Sequence, residues 1–139
     1  MNKGLFYSLG VGACVLIIAS LLYAATERKI SEIRNDNELN KFLTENRLVL
    51  IQFYSPSCPV CIAFKKKRIF QDAANRLPDV HFAMVSSEEA NPLHSKYNIA
   101  NFPTFVYFID SKPVKRTVGY VDNPTFTTNA NKIFQASGK

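Results

Sequence analysis

From Gly4 to Thr26 the chain carries no charged residue. The run GLFYSLGVGACVLIIASLLYAAT is long enough to cross a bilayer as a helix, which needs about 20 predominantly apolar residues. A secretory signal has a shorter apolar region and small residues before its cleavage point. Here the candidate sites put Leu22 or Tyr23 at the −3 position. Residues 1–26 therefore read as a transmembrane anchor or uncleaved signal, with secretion after signal cleavage as second choice.

Beyond the anchor the apolar positions come in short blocks. Residues 29–34 suit a short edge strand, and Asp36 is placed to cap a helix to about Glu45 with Leu39, Phe42 and Leu43 on one face. Leu48–Tyr54 (LVLIQFY) is almost continuously apolar, the signature of a strand covered on both sides. A helix over residues 58–76 presents Ile62, Ile69, Phe70, Ala73 and Leu77 as an inward stripe. Val80–Val85 is a second buried strand and residues 88–97 a weaker helix, with Pro92 tolerable in its first turn. Thr104–Ile109 and Val114–Tyr120 flank Asp110-Ser111-Lys112-Pro113 as a hairpin. Asn123-Pro124 supplies a cap and first-turn proline for a last helix to about Gln135. The order β-α-β-α-β-α-β-β-α predicts an α/β domain, a central mixed sheet flanked by helices, preceded by an N-terminal transmembrane helix.

Composition narrows the picture. The chain has 139 residues with 12% aromatics, enough for a packed core, and only 5 Gly and 7 Pro, which excludes collagen-like and low-complexity classes. No repeat or flexible linker divides residues 27–139, which read as one domain on a tether at 27–29. The net charge of +6 comes without a stripe of base-stacking aromatics, so no nucleic-acid partner is expected. Positive residues lie on both sides of the apolar run (Lys3, then Arg28, Lys29 and Arg34), so charge alone does not orient it. Val11-Gly12-Ala13-Cys14 has the look of a lipidation box. The apolar run continues well past it, which favours a free Cys14 thiol within the span.

Cys58-Pro59-Val60-Cys61 carries the chemistry. It follows the long buried strand at the entry of a helix. Free N–H groups and the helix dipole there lower the pKa of Cys58, and three-residue spacing brings Cys61 within reach. Such a pair exchanges disulfides, Cys58 attacking and Cys61 resolving. Half of a zinc site is the alternative, but His81 and His94 offer no second paired spacing; His81 is expected along a strand and His94 on a helix surface. No metal is expected. A closed structural disulfide would constrain only a small loop. Lys65, Lys66, Lys67 and Arg68 read as a solvated helix face.

FYSPSCPVC (53–61) and NIANFPTFVYF (98–108), followed by Gly119, resemble the thioredoxin family over essentially residues 29–135. That resemblance implies a thioredoxin-like sheet, a cis Phe102–Pro103 bond beside the cysteines, and a substrate segment pairing at Phe102 and Pro103. Ser57 at the helix entry, and Pro59 and Val60 between the cysteines, depart from the cytoplasmic thioredoxin pattern. Gln52 stands where thioredoxins keep a buried acid, and Ala83-Met84 near its usual lysine partner. An amide cannot accept the proton of Cys61. The segment FYSPSCPVCIAFKKKRIFQD is also similar to the C-terminal domain of bacterial membrane thiol-disulfide interchange proteins. The resemblance implies a membrane-tethered oxidoreductase, reducing or isomerising more than oxidising since no histidine separates the cysteines. It needs no cofactor beyond the Cys58–Cys61 disulfide.

The expected partners are protein thiols and disulfides, a membrane or thioredoxin-type electron donor, and the bilayer itself through residues 4–26. A monomer in a bacterial inner membrane, single-pass, with its C-terminal domain in the periplasm, is the expected setting. The alternatives are a non-catalytic peptide-binding or assembly module and a cytoplasm-facing reductase.

Overall fold

The computed structural model describes residues 3–25 and 27–137. α1 (Lys3–Ala25) is one helix of 23 residues. Its side chains are described from residue 10 to 23, and all of these are exposed, including Val11, Val15, Leu16, Ile17, Ile18, Leu21 and Leu22. Among the described residues no helix is long and apolar enough to cross a membrane. The expected transmembrane helix is thus not found among them, and its expected end, Thr26, lies outside the described residues.

The strands β1 (Ser31–Glu32), β2 (Leu48–Tyr54), β3 (His81–Ser86), β4 (Thr104–Ile109) and β5 (Lys112–Val118) form one sheet in the order β1-β3-β2-β4-β5. β1–β3 and β3–β2 are parallel, while β2–β4 and β4–β5 are antiparallel. β2 is central and sealed on both faces, which explains its unbroken apolar run. Even-numbered Leu50, with Phe82, Phe105 and Tyr107, meets Phe64, Phe70, Phe126 and Phe134 from α3 (Pro59–Lys66), α4 (Ile69–Arg76) and α6 (Asn123–Ser137). Odd-numbered Val49, Ile51 and Phe53, with Val85 and Phe108, meet Leu39, Leu43 and Leu93 from α2 (Asp36–Glu45) and α5 (Asn91–Lys96). β5 is largely exposed and carries Lys112, Pro113 and Lys115, which blunt it as an edge.

Several expected elements shift. Asn35, not Asp36, caps α2: its side chain accepts from the Glu38 N–H at 2.9 Å while Glu38 reaches back to Asn35 and the Arg34 N–H. The long helix expected over 58–76 is two, because Arg68 adopts left-handed φ 54° and restarts the chain as α4. That break lets both Phe64 and Ile69 face the core, and it leaves Ile62 outside, 41% exposed rather than part of the inward stripe. Arg68 is tied to the Glu27 carboxylate. The weaker helix shrinks to Asn91–Lys96, with Pro92 in its first turn. β1 is only two residues long, and Asn123 opens α6 instead of capping it. The β4–β5 turn places both Asp110 and Ser111 at positive φ.

His94 is not on a helix surface. It is buried at 4% exposure, its ring against Phe53 at 5.2 Å and Phe102 at 5.5 Å. Its Nδ1 lies 3.2 Å from the Ala90 carbonyl, and its Nε2 is buried without a partner. Burial holds His94 below its ordinary pKa.

Two outcomes test this core. Phe105, packed with Phe64, Phe70 and Phe126, loses about 3–5 kcal/mol of stability on Phe105→Ala, read from urea unfolding. Below about pH 6.5 the unfolded chain takes up a proton that buried His94 resists, so stability falls as pH drops. In His94→Leu the fall in urea midpoint between pH 7.5 and pH 5 is smaller than in the parent; an unchanged fall refutes this role.

Candidate active site

β2 ends at Tyr54, a short turn follows, and Cys58 stands as the N-cap of α3 with Pro59 in the first turn. The turn is closed by the Cys58 N–H on the Ser55 carbonyl at 3.2 Å and by the Ile62 N–H on the Cys58 carbonyl at 3.0 Å. Proline suits that first position because an N–H there would have no helical acceptor. The next N–H groups, of Val60 and Cys61, point back at the Cys58 sulfur. The Cys61 N–H is the largest influence holding Cys58 below the ordinary thiol range, helped by the Cys61 thiol and the Val60 N–H and opposed by burial.

Cys61 lies one turn further on, 4% exposed, and burial pushes its thiol up to about 11. Both cysteines are free thiols. The pair is therefore strongly unequal: one half-exposed sulfur predisposed to the thiolate, and one buried sulfur held as the thiol. Among the described residues no group of three or more His, Cys, Asp or Glu is placed to hold a metal ion.

The second wall of the site is the loop before β4. Phe102–Pro103 is a cis peptide bond, and the Phe102 carbonyl accepts from the Cys58 thiol at 3.7 Å. Pro103 is buried and Phe102 half-buried. The Pro103 carbonyl in turn accepts the Gly119 N–H at 2.9 Å, with Gly119 at φ 94°. A Cβ at Gly119 would meet nothing within 4 Å, so it is this backbone conformation, not space, that calls for glycine.

The structure thus brings Cys58, Cys61 and Phe102 together. Ser57, Pro59 and Val60 are exposed around them, the Ser57 hydroxyl 3.2 Å from that of Ser55. Val60, Ile62, Val118 and Tyr120 are large apolar side chains left exposed. The Lys65–Arg68 run is exposed throughout, with Lys67 lying over the Tyr120 ring at 5.5 Å.

A family model described as Thioredoxin matches residues 30–132. The chain belongs to the thioredoxin family. It is 30% identical over 92 residues to the thioredoxin of Mycoplasmoides gallisepticum, covering 66% of this chain and 90% of that one. It is 29% identical over 116 residues to Protein disulfide-isomerase 1 of Caenorhabditis elegans. That match covers 81% of this chain and 24% of the relative, so the chain spans about a quarter of that protein's length. Among solved structures, Fasciola hepatica thioredoxin superposes with TM-score 0.66 at 25% identity over 74% of this chain and 98% of that chain. Plasmodium falciparum thioredoxin, at TM-score 0.67 and 18% identity over the same shares, shows the common fold alone. These thioredoxin and disulfide-isomerase relatives support thiol–disulfide oxidoreductase activity.

Of two residues around the thioredoxin-family site, the sequence placed His94 on a helix surface and gave Glu32 no role. His94 packs on Phe102 from the opposite sheet face. Glu32 accepts the Tyr54 hydroxyl at 3.2 Å. The signal for Glu32 was strand parity, since register aligns Glu32 with Met84 and Met84 with Gln52. Reading it needs the β1–β3 pairing, which a two-residue strand does not announce.

The inequality of the thiols gives a direct expectation. At pH 7, iodoacetamide modifies Cys58 well before Cys61, and Cys61 labelling rises only as pH climbs toward about 11. Peptide mass mapping across pH 5–10 checks this; equal labelling of both at neutral pH would contradict it.

Proposed function

We propose that the chain is a membrane-tethered thiol–disulfide oxidoreductase in which Cys58 attacks a client disulfide and Cys61 resolves the mixed disulfide, running toward reduction or isomerisation. The observation that carries the thiol chemistry is the pairing of an ionisable Cys58 with a protonated, buried Cys61 one turn away. Cys58 attacks as thiolate, and Cys61 waits as thiol until the mixed disulfide forms. Phe102 and Pro103 form the edge for an extended client segment, and the exposed Val60, Ile62 and Tyr120 give its side chains an apolar surface. The electrons reside in the cysteine pair, so no dissociable cofactor takes part. The absence of a histidine between the cysteines supports the reducing or isomerising direction.

Tethering is supported by the apolar run 4–26 and by a helix whose described side chains are exposed on every side. A helix apolar all round is stable where lipid or protein covers it. Residues 1–26 then act as the anchor and residues 27–139 as the catalytic domain. The domain faces the periplasm of a bacterial inner membrane, monomeric and supplied by a membrane or thioredoxin-type electron donor.

In the full chain, Cys61→Ser accumulates mixed disulfides with client proteins that reductant releases, and Cys58→Ser accumulates none. Non-reducing electrophoresis reads both; trapping by neither variant would overturn the oxidoreductase reading. The Cys58–Cys61 potential in glutathione buffers falls near thioredoxin's value of about −270 mV, whereas a value near about −120 mV would make the chain a disulfide donor. A thiol probe that cannot cross membranes labels Cys58 in intact cells; labelling only after lysis would place the domain in the cytoplasm.

A further inference from the structure

Cys61 must lose its proton before it can attack, yet its surroundings hold that proton on. Gln52, at 2% exposure beside the site, is a neutral amide and takes no proton. Met84, opposite Gln52 in the sheet register, has no titratable group. The question is where the proton goes.

Cys61 lines a cleft of about 380 Å³ together with Gln52, Tyr54, Lys65 and Met84. An adjoining cavity of about 310 Å³ shares Gln52, Lys65 and Met84 and is lined by Glu32. Among the described residues lining the two, Glu32 is the one carboxylate. Tyr54 links them: it lines the Cys61 cleft, and its hydroxyl donates to Glu32 Oε1 at 3.2 Å. Both cavities have room and polar partners for water. Other groups fail on chemistry or placement. Lys65 and Lys66 are donors without a free lone pair. Glu89 is paired with Arg34 at 3.2 Å. His94 packs on Phe53, on the opposite sheet face.

We propose that Glu32, oriented by Tyr54, is the proton acceptor for Cys61 across this cleft. The proposal rests on the thiol–disulfide reading above. Once Cys58 is joined to a client sulfur, the Cys61 thiol passes its proton through cleft water to the Glu32 carboxylate. The Cys61 thiolate then attacks the Cys58 sulfur. The Cys58–Cys61 bond forms, the Cys58–client bond breaks, and the client sulfur leaves with the electron pair and takes up a proton. The dithiol is oxidised by two electrons and the client disulfide reduced by two. Glu32, in the adjoining cavity, is exposed and returns its proton to bulk water.

The charges around Glu32 suit the task. Partial burial raises its carboxyl above the ordinary value, and Glu89 adds to this; the Tyr54 hydroxyl, Arg34 and Lys65 oppose it. Arg68 and Gln71 are the remaining polar residues lining its cavity. A carboxylate of raised pKa is a better base near neutrality than an ordinary one.

The test uses the full chain with Cys14→Ser, so that only Cys58 and Cys61 report, reacted with excess 5,5′-dithiobis(2-nitrobenzoate) in a stopped-flow instrument. Attack by Cys58 releases the first coloured thiolate, and resolution by Cys61 releases the second. Glu32→Gln leaves the first phase unchanged and slows the second by about tenfold or more at pH 7, the scale of general-base assistance. In the parent the second phase rises with pH through the acidic titration of Glu32 and then levels. In Glu32→Gln it climbs without levelling toward the Cys61 value of about 11. Glu32→Asp recovers part of the rate and keeps the acidic inflection, which a purely structural role would not do; Tyr54→Phe slows the second phase less than Glu32→Gln. A second phase with the same rate and pH profile in parent and Glu32→Gln overturns the proposal while leaving the oxidoreductase reading intact. Absence of the first phase in the parent overturns both.

Discussion

The burial of β2 on both faces fixes everything else. A strand sealed from water must satisfy its backbone through neighbours on each side, here β3 in parallel and β4 antiparallel. It must also alternate its side chains between two cores, even positions toward α3, α4 and α6, odd positions toward α2 and α5. Where that burial ends, after Tyr54, the chain reaches the surface and turns into α3. Cys58 is therefore held at the boundary between a rigid interior and solvent, at a helix N-terminus. The antiparallel partner β4 begins at the same end of the sheet, so the Phe102–Pro103 loop arrives beside Cys58 by register.

From this boundary follows the inequality of the two sulfurs. Position along one helical turn moves a thiol from a ring of backbone N–H groups into the packed interior. The same chemical group then has opposite preferences: Cys58 toward the thiolate, Cys61 toward the thiol. Disulfide exchange needs one nucleophile ready and a second held in reserve, and the helix entry with the core beneath it supplies both. Gly119 holds the opposing wall in place through the Pro103 carbonyl. The exposed apolar residues around it belong to the same boundary, where strand and helix ends leave the core unfinished.

The residues that declared themselves in the sequence were those governed by local pattern. LVLIQFY and TFVYFI read as buried strands because continuous apolar runs have little other use at that length. The CPVC spacing located the site, and the family resemblance placed Phe102-Pro103 beside it. What stayed hidden depended on tertiary packing. KKKR carries no glycine or proline, so nothing local announces that Arg68 will turn left-handed; the break comes from the competing demands of Phe64 and Ile69 for the same core. Ile62 lost its inward place by the same event. His94 is followed by Ser95 and Lys96 in sequence, and only the placement of α5 over Phe53 buries it. Asn35 took the cap from Asp36 because Glu38 lies three residues beyond it and closes the reciprocal bond.

Gln52 shows why an ionisable group can leave the centre of such a site without ending its chemistry. A carboxylate at that fully enclosed position would need a charged partner to offset its desolvation, and Met84 cannot be one. An amide there adds no charge to the interior, and so no pH dependence of its own. The edge strand β1 offers the same sheet face at much lower desolvation cost, since Glu32 stays in touch with solvent and with the Tyr54 hydroxyl. A carboxylate at the rim is harder to perturb than one at the centre, but it exchanges protons with bulk water freely. The sheet's parity then carries its influence inward: Glu32, Met84 and Gln52 stand in one cross-strand row on the face that Cys61 approaches from above.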